Sequence, residues 1–347
     1  MSKKIPVLVL AFNRADHVAE AMKAIREYKP DRLYLECDGP RAHKEGEREA
    51  VEETRQTMLD AVDWSCEVKT LFREENLGCA KAVYGAITWF FEQEEYGVII
   101  EDDIVMSQDF FRLCEDLLPR YKDEERVMEI VSQNHSHRTD ISDTYVYSWR
   151  EHCWGWASWR RAWAKMDFSM SAVPGLTNRF MFKKLGWFEG WMKKRYFESG
   201  YRNIENFKSW AFRWSLSILV NEGLVIIPGV NLSKNIGTDG GVHYEAGDVD
   251  PYAGLQVGKM VWPLQYNDTF TIDKKQDKYD RDDFWRIRMI GLRKKVRKMM
   301  HLNKKLNNTQ VIMSKKITPP QTRIVEFWAV NAFRAEGECL TGSRMAA

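Results

Sequence analysis

The first hundred residues alternate between short apolar runs and longer amphipathic or charged stretches. Val7 to Phe12 is unbroken apolar and reads as a buried strand. An Asn-Arg-Ala-Asp turn follows, in which Asp16 is placed to cap a helix running to about Tyr28. Leu33 to Glu36 predicts a second strand, closed by the turn signal Cys37-Asp38-Gly39-Pro40. Glu45 to Val62 reads as a charged helix and Cys66 to Phe72 as a third strand. Asn76-Leu77-Gly78 then opens a helix through Phe91, and a fourth strand follows at Val98. Alternation at this spacing implies a parallel sheet with helices on both faces. In such sheets ligands sit beyond the carboxyl ends of the strands. The loops at Asn13-Arg14, Asp38, Asn76 to Gly78 and Glu101 to Asp103 all leave such ends, so they are expected to meet at one crevice.

The fourth strand carries the most telling chemistry. Val98-Ile-Ile runs straight into Glu101-Asp102-Asp103, three adjacent carboxylates at the tip of a buried strand. Crowding them there is electrostatically unfavourable unless a cation arrives. Mg²⁺ or Mn²⁺ carrying a diphosphate suits the pattern, because such ions take one or two carboxylates and complete their shell with phosphate oxygens and water. The plainer alternative is a solvated acidic turn.

Further along, Trp149, Trp154, Trp156, Trp159 and Trp163 cluster among small residues. Trp159 and Trp163 fit core packing. Trp154-Gly155-Trp156 is less helical, and its glycine permits a bend close to a ligand, so stacking on a sugar ring is the alternative there. Leu224 to Val230 predicts a strand. Asn235 to His243 holds three glycines with Asp239 and His243, and reads either as a lid over a nucleotide or as an ordinary surface loop.

At 347 residues the chain suits one large domain or two smaller ones. From Phe284 onward, fourteen Lys and Arg face three Glu, giving the tail about +11 and leaving about −9 on the body. An acidic body argues against nucleic-acid binding. The six cysteines show neither disulfide nor metal-ligand spacing and read as reduced thiols. The N-terminus lacks a signal-peptide core, and no apolar run approaches the ~18 residues of a membrane span, so a cytoplasmic protein is expected. Asp282 to Lys305 interleaves Trp285 and aliphatic residues with basic ones, as in a helix lying at a membrane interface; a solvated helix packed on the body is the alternative. Residues 306–347 show no pattern.

Taken together, these segments resemble the metal-dependent glycosyltransferases of the GT-A fold. Within that fold they resemble the bacterial proteins labelled hemolytic protein HlpA-like, which look akin to the inverting animal N-acetylglucosaminyltransferase that initiates complex N-glycans. The likeness spans roughly residues 5 to 245. It rests on Ile5 to Arg14, Glu74 to Gly78, Val98 to Ile104 with Asp109-Phe-Phe111, Trp154-Gly-Trp-Ala157, Ser209-Trp-Ala-Phe-Arg-Trp214 and Asn231 to Gly237. The resemblance implies an α/β, Rossmann-like GT-A domain over residues 1–275, with a mostly parallel central sheet flanked by helices. Its nucleotide-sugar half would be 1–110 and its acceptor half 111–275, followed by a basic helical extension at 276–305.

It further implies that Ala11, Phe12, Asn13 and Arg14 hold the nucleotide, with Arg14 on a diphosphate oxygen. Asp38 would accept from the uracil N3–H, with Asn76 and Gly78 in the same binding set. Glu101 and Asp102 would face the ribose and donor sugar, and Asp103 would ligate Mn²⁺ or Mg²⁺. Lys81 would assist on the phosphates or be a surface lysine. His243 would be a further metal or phosphate contact. Trp154, Gly155, Trp156 and Trp210 would form the acceptor site.

One position departs from the pattern. The family carries Asp after the first Trp of the Ser-Trp segment, the expected general base, and here Ala211 stands there. Either the chain is a base-disabled variant, as the intact remainder of the site suggests, or the base has moved, with Glu205 and Asp239 as candidates. The implied reaction is inverting transfer of a sugar, GlcNAc by resemblance, from a UDP-sugar to a hydroxyl of a glycan or lipid-linked glycan. The basic segment would rest on the inner membrane face. A nucleotidyltransferase is a second enzyme reading, although Ala11 to Arg14 lacks the glycines of a triphosphate loop. A membrane-active protein driven by the basic helix is a third.

Overall fold

The computed structural model describes residues 4–136, 138, 141, 144–237 and 255–282. The alternation read from the sequence is realised: β1 (Val7–Ala11), α1 (Ala15–Tyr28), β2 (Arg32–Cys37), α2 (Glu47–Asp60), β3 (Glu67–Phe72), α3 (Cys79–Gln93) and β4 (Tyr96–Glu101) follow one another. A short strand, β5 (Ile104–Met106), leads into α4 (Gln108–Arg120) and β6 (Val127–Val131). The remainder comprises β7 (Tyr145–Ser148), β8 (Trp156–Trp159), α5 (Arg160–Trp163), α6 (Asn178–Leu185), α7 (Trp187–Arg202), α8 (Trp210–Val220), β9 (Leu224–Pro228) and β10 (Ser233–Asn235).

Eight strands form one sheet in the order β3-β2-β1-β4-β8-β6-β9-β7, while β10 pairs with β5 in a separate ribbon. Pairing is parallel among β3, β2, β1 and β4 and between β6 and β9; β8 and β7 run antiparallel to their neighbours. The architecture is therefore α/β with a mostly parallel central sheet flanked by helices. Strands β1 and β4 are apolar throughout their centres because both faces are covered, so neither shows alternation. Helices α1, α2 and α4 pack together on one face, and α3, α5 and α8 on the other. A smaller apolar cluster, built on Met170, Met181, Leu185, Phe197, Leu216 and Leu219, lies between α6, α7 and α8.

Two local expectations differ from the structure. Asp16 does not cap α1: Arg14 occupies the cap position without a side-chain bond, and Asp16 lies in the first turn beside the His17 ring at 3.0 Å. A carboxylate there still complements the helix dipole. Trp159 ends β8 and precedes α5, so it and Trp163 do not share a helix face as their spacing suggested. Both are nevertheless core, with Trp159 donating to the Leu118 carbonyl and Trp163 to the Thr88 hydroxyl.

Candidate functional site

The chain runs outward from β1 through β2 to β3, then returns to place β4 on the other side of β1. The gap beyond the carboxyl ends of β1 and β4 is thus a topological switch point, where the loops on either side leave in opposite directions. Arg14, just past β1, reaches across it. Its Nη2 donates to Asp103 Oδ2 at 2.8 Å and, more closely, to Asp102 Oδ1. One guanidinium therefore faces three consecutive carboxylates.

The imbalance shows in their titration. Burial, reinforced by Asp103 and Asp102, pushes Glu101 up to about 8. Burial also raises Asp102 to about 6; Arg14 opposes that rise and Asp103 adds to it. For Arg14, burial works against the charge, yet the carboxylates of Asp102 and Asp103 hold it firmly cationic.

Asp103 is half-buried. Among the described residues its Oδ1 has no hydrogen-bond partner although it is shielded from solvent. Its backbone carbonyl accepts from Ile236 N–H at 2.9 Å, where β10 runs beside β5. Gly237 lies so close that a Cβ there would overlap the Asp103 carboxylate and crowd Arg14, which explains why the chain is glycine at that point.

No group of three or more His, Cys, Asp or Glu among the described residues is arranged to hold a metal by itself. An orphaned carboxylate oxygen beside an excess of negative charge does fit a hard divalent ion that draws most of its shell from phosphate and water.

The neighbouring loops are tied to this point. Asp38 is buried, and its carboxylate accepts from the N–H groups of Gly39 (2.9 Å), Leu77 (3.0 Å) and Gly78 (3.1 Å) and from Asn76 Nδ2 (3.0 Å). Four donors fill the acceptor positions of one carboxylate. In this arrangement Asp38 is the clasp holding the Glu74–Gly78 loop to the end of β2, which corrects the expectation of a free acceptor for a uracil N–H. Gly78 adopts φ +77°, as the residue preceding α3. The Ala11 carbonyl accepts from Asp38 N–H at 3.3 Å. Asn13 donates to Glu47 at 3.3 Å, and the Arg41 guanidinium lies 5.4 Å from the Phe12 ring. Ala11 to Arg14, Asp38, Asn76, Gly78 and Glu101 to Asp103 thus lie together at the carboxyl ends of β1, β2 and β4. Lys81 is exposed on the first turn of α3.

The expected acceptor residues fare differently. Trp156 is 0% and Trp210 3% exposed, and their rings stack at 5.8 Å, with Trp214 and Trp163 against Trp156. A sugar finds no free face on either, so both are core residues, contrary to the sequence reading. Gly155 takes φ +72° and abuts Ile104 and Met106; a side chain there would collide with Met106. Its role is close packing onto β5 immediately after Asp103. Only Trp154 is half-buried, 6.2 Å from the His135 ring.

Ala211, in the first turn of α8, is half-buried against the main core. Glu205 is exposed and faces Arg213, whose guanidinium bonds the Ile204 and Phe207 carbonyls. Arg213 is two residues from Ala211 and hence about 200° around the helix. Glu205 is therefore on the wrong side of α8 to stand in for a base at Ala211. Asp239, His243, residues 283–305 of the basic segment and residues 306–347 lie outside the described residues.

Sequence reasoning missed a second polar group. Glu129 sits inside the apolar strand β6 at 0% exposure, accepting from Trp214 Nε1 at 3.3 Å. Glu151, His152 and Lys193 lie close by. A single acid in Val-Met-Glu-Ile-Val was the available signal. Burial, then Glu151, raises Glu129 well above the carboxylate range, so it is neutral in the fold. The folded state therefore holds a proton that the unfolded chain releases. Glu129's contribution is complete below the ordinary carboxylate pKa and is lost as pH rises through its folded value. Glu129→Gln is accordingly expected to flatten the decline of stability from about pH 5 upward. Urea unfolding at several pH values measures the slope, and a slope equal to that of the parent chain would remove Glu129 as its source.

No family model matches this sequence, and no curated protein is similar to it. Solved structures to which the chain is slightly similar include HddC from Yersinia pseudotuberculosis (13% identity, 37% of this chain and 57% of that one, TM-score 0.25). Others are the glycosyltransferase GlyE in Streptococcus pneumoniae TIGR4 (12%, 50% and 41%, TM-score 0.28) and UDP-glucose pyrophosphorylase complexed with UDP-glucose (14%, 44% and 65%, TM-score 0.25). This chain matches less than two thirds of the length of each. Such slight likeness carries no argument about fold or chemistry, which rest on the geometry above.

Proposed function

We propose that the protein is a GT-A-type glycosyltransferase that binds a UDP-sugar with Mn²⁺ or Mg²⁺ and passes the sugar, with inversion, to a hydroxyl of a glycan or lipid-linked glycan. The single observation that carries this is the meeting of Arg14 with Asp102 and Asp103 across the switch point, with one Asp103 oxygen left without a hydrogen-bond partner among the described residues. A divalent ion held there by Asp103 would supply charge neutralisation for the leaving diphosphate.

The chain's own residues do the rest. Arg14 offers a permanent cation with several N–H donors to the diphosphate. The Asp38 clasp fixes the Asn76–Gly78 loop beside it, so the crevice walls are set before ligand arrives. Phe12, with Arg41 over its ring, gives a flat apolar surface at the same mouth. GlcNAc as the donor sugar and kinship with the HlpA-like proteins follow from the sequence resemblance, as does attachment to an anionic membrane through the basic segment. Cosedimentation of the full chain with anionic vesicles tests that attachment.

Calorimetry of the protein with UDP, UDP-GlcNAc, UDP-Gal and GDP-mannose, each with and without Mn²⁺, tests the donor reading. The expected result is Mn²⁺-dependent binding of the uridine compounds and weaker or absent binding of GDP-mannose. Binding of UTP in preference to UDP would favour a nucleotidyltransferase. No binding of any nucleotide would remove the transferase reading.

A further inference from the structure

Ala211 leaves an inverting transfer without its expected proton acceptor, yet the face of α8 that carries Ala211 looks onto Glu129 and, through Lys193, onto Glu151. Trp214 and Ser215 lie three and four residues on, hence on the same face. Trp214 bonds Glu129, and Ser215 Oγ accepts from Lys193 Nζ at 3.0 Å. Lys193 in turn stands 4.0 Å from Glu151 Oε2. Around these contacts, Glu129 Oε1, Trp156 Nε1, His152 Nε2 and Glu151 Oε2 are buried and make no hydrogen bond among the described residues. Glu129 and Trp156 are both fully buried, so their orphaned groups point into protein space rather than solvent.

The loop carrying Glu151 is fixed at both ends. Arg150 is locked to Glu189 of α7 by two bonds of 2.7 and 2.6 Å, and Gly155 packs on β5 directly after Asp103. Glu151 therefore lies four residues before the contact that Gly155 makes with Ile104 and Met106, directly after Asp103.

We propose that Glu151 is the general base for the acceptor hydroxyl, replacing the carboxylate absent at Ala211. This rests on the donor reading given above. The hydroxyl proton passes to a Glu151 carboxylate oxygen, the freed oxygen pair bonds the anomeric carbon, and the bond from that carbon to the β-phosphate oxygen breaks, UDP leaving with its electrons. Glu151 is suited where Glu129 is not. Its side chain retains 16% exposure, and Lys193 Nζ stands 4.0 Å from its Oε2, beyond hydrogen-bond range. Glu129, sealed and neutral, has no charge to offer.

The test measures UDP release from UDP-GlcNAc, UDP-Gal and UDP-glucose with Mn²⁺, using water and octyl glycosides as acceptors. Glu151→Gln is expected to lower kcat about 10²–10⁴-fold while donor KM stays within about threefold. Glu205→Gln should match the parent chain. Adding Ala211→Asp to Glu151→Gln should recover at least about a tenth of the lost rate, since it returns a carboxylate to the face of α8 that carries Trp214 and Ser215. Glu151→Asp guards against misfolding: it keeps the charge but withdraws it by one methylene, and turnover should fall about tenfold or more with UDP affinity retained. Parent-like turnover in either Glu151 variant, with UDP still bound, overturns the base and leaves the donor reading standing. A parent chain that neither binds UDP in calorimetry nor releases it from any donor overturns both.

Discussion

Asp103→Asn is expected to abolish Mn²⁺-dependent nucleotide binding and, with it, sugar transfer. The substitution keeps the side chain's shape while removing the charge that makes its unpartnered oxygen a ligand for a hard cation. A divalent ion supplies several kcal/mol of stabilisation to a departing diphosphate, so turnover should drop by about 10³-fold or more. The fold itself should be spared, because Arg14 still has Asp102 as a partner and the backbone carbonyl of Asp103 still accepts from Ile236. Calorimetry distinguishes the outcomes. The asparagine variant should bind UDP equally weakly with and without Mn²⁺, whereas metal-dependent binding at the parent affinity would place the ion elsewhere.

The largest effect on stability should come from the Arg150–Glu189 pair. Both side chains are at least nine-tenths buried and meet in a two-point, fork-to-fork geometry. Burial disfavours the Arg150 charge; Glu189 restores it, with help from Asp277 and Asp280. Glu189→Gln leaves a buried guanidinium facing a neutral amide and should cost about 3–5 kcal/mol, read as a lower urea midpoint. The double variant Arg150→Met with Glu189→Leu removes both charges together and should recover most of that loss, as buried pairs replaced by apolar side chains do. A Glu189→Gln chain within about 1 kcal/mol of the parent would show that water or the neighbouring aspartates solvate Arg150 instead. Because this pair anchors the loop that presents Glu151, the same variant should also weaken turnover in proportion to the loop's loss of order.

The strand–helix alternation was legible because each parallel strand is buried on both faces and so appears as an unbroken apolar run between polar helices. The acidic tip at Glu101 to Asp103 stood out for a related reason, since carboxylates are conspicuous against Val-Ile-Ile. Convergence of Arg14 on that tip followed from topology alone, as both lie just past carboxyl ends of adjacent strands. Roles that depend on which way a side chain faces were less accessible. Trp156 and Trp210 have the composition of a sugar platform, yet they stack on one another in the core. Asp38 lies at the right strand end, but its carboxylate is saturated by N–H groups from a loop almost forty residues away in the chain. Glu205 is near Ala211 in sequence and on the far side of α8 in space.

By itself, then, the sequence determined the order of the elements, the mostly parallel sheet and the site of greatest charge density, because hydrophobic periodicity and local charge are properties of neighbouring residues. The tertiary structure alone decided that Glu129, Glu151, His152 and Lys193 gather beside α8. These residues come from a strand, a loop and a helix far apart in the chain. What unites them is the packing of those elements against one another, which exists only once the chain has folded.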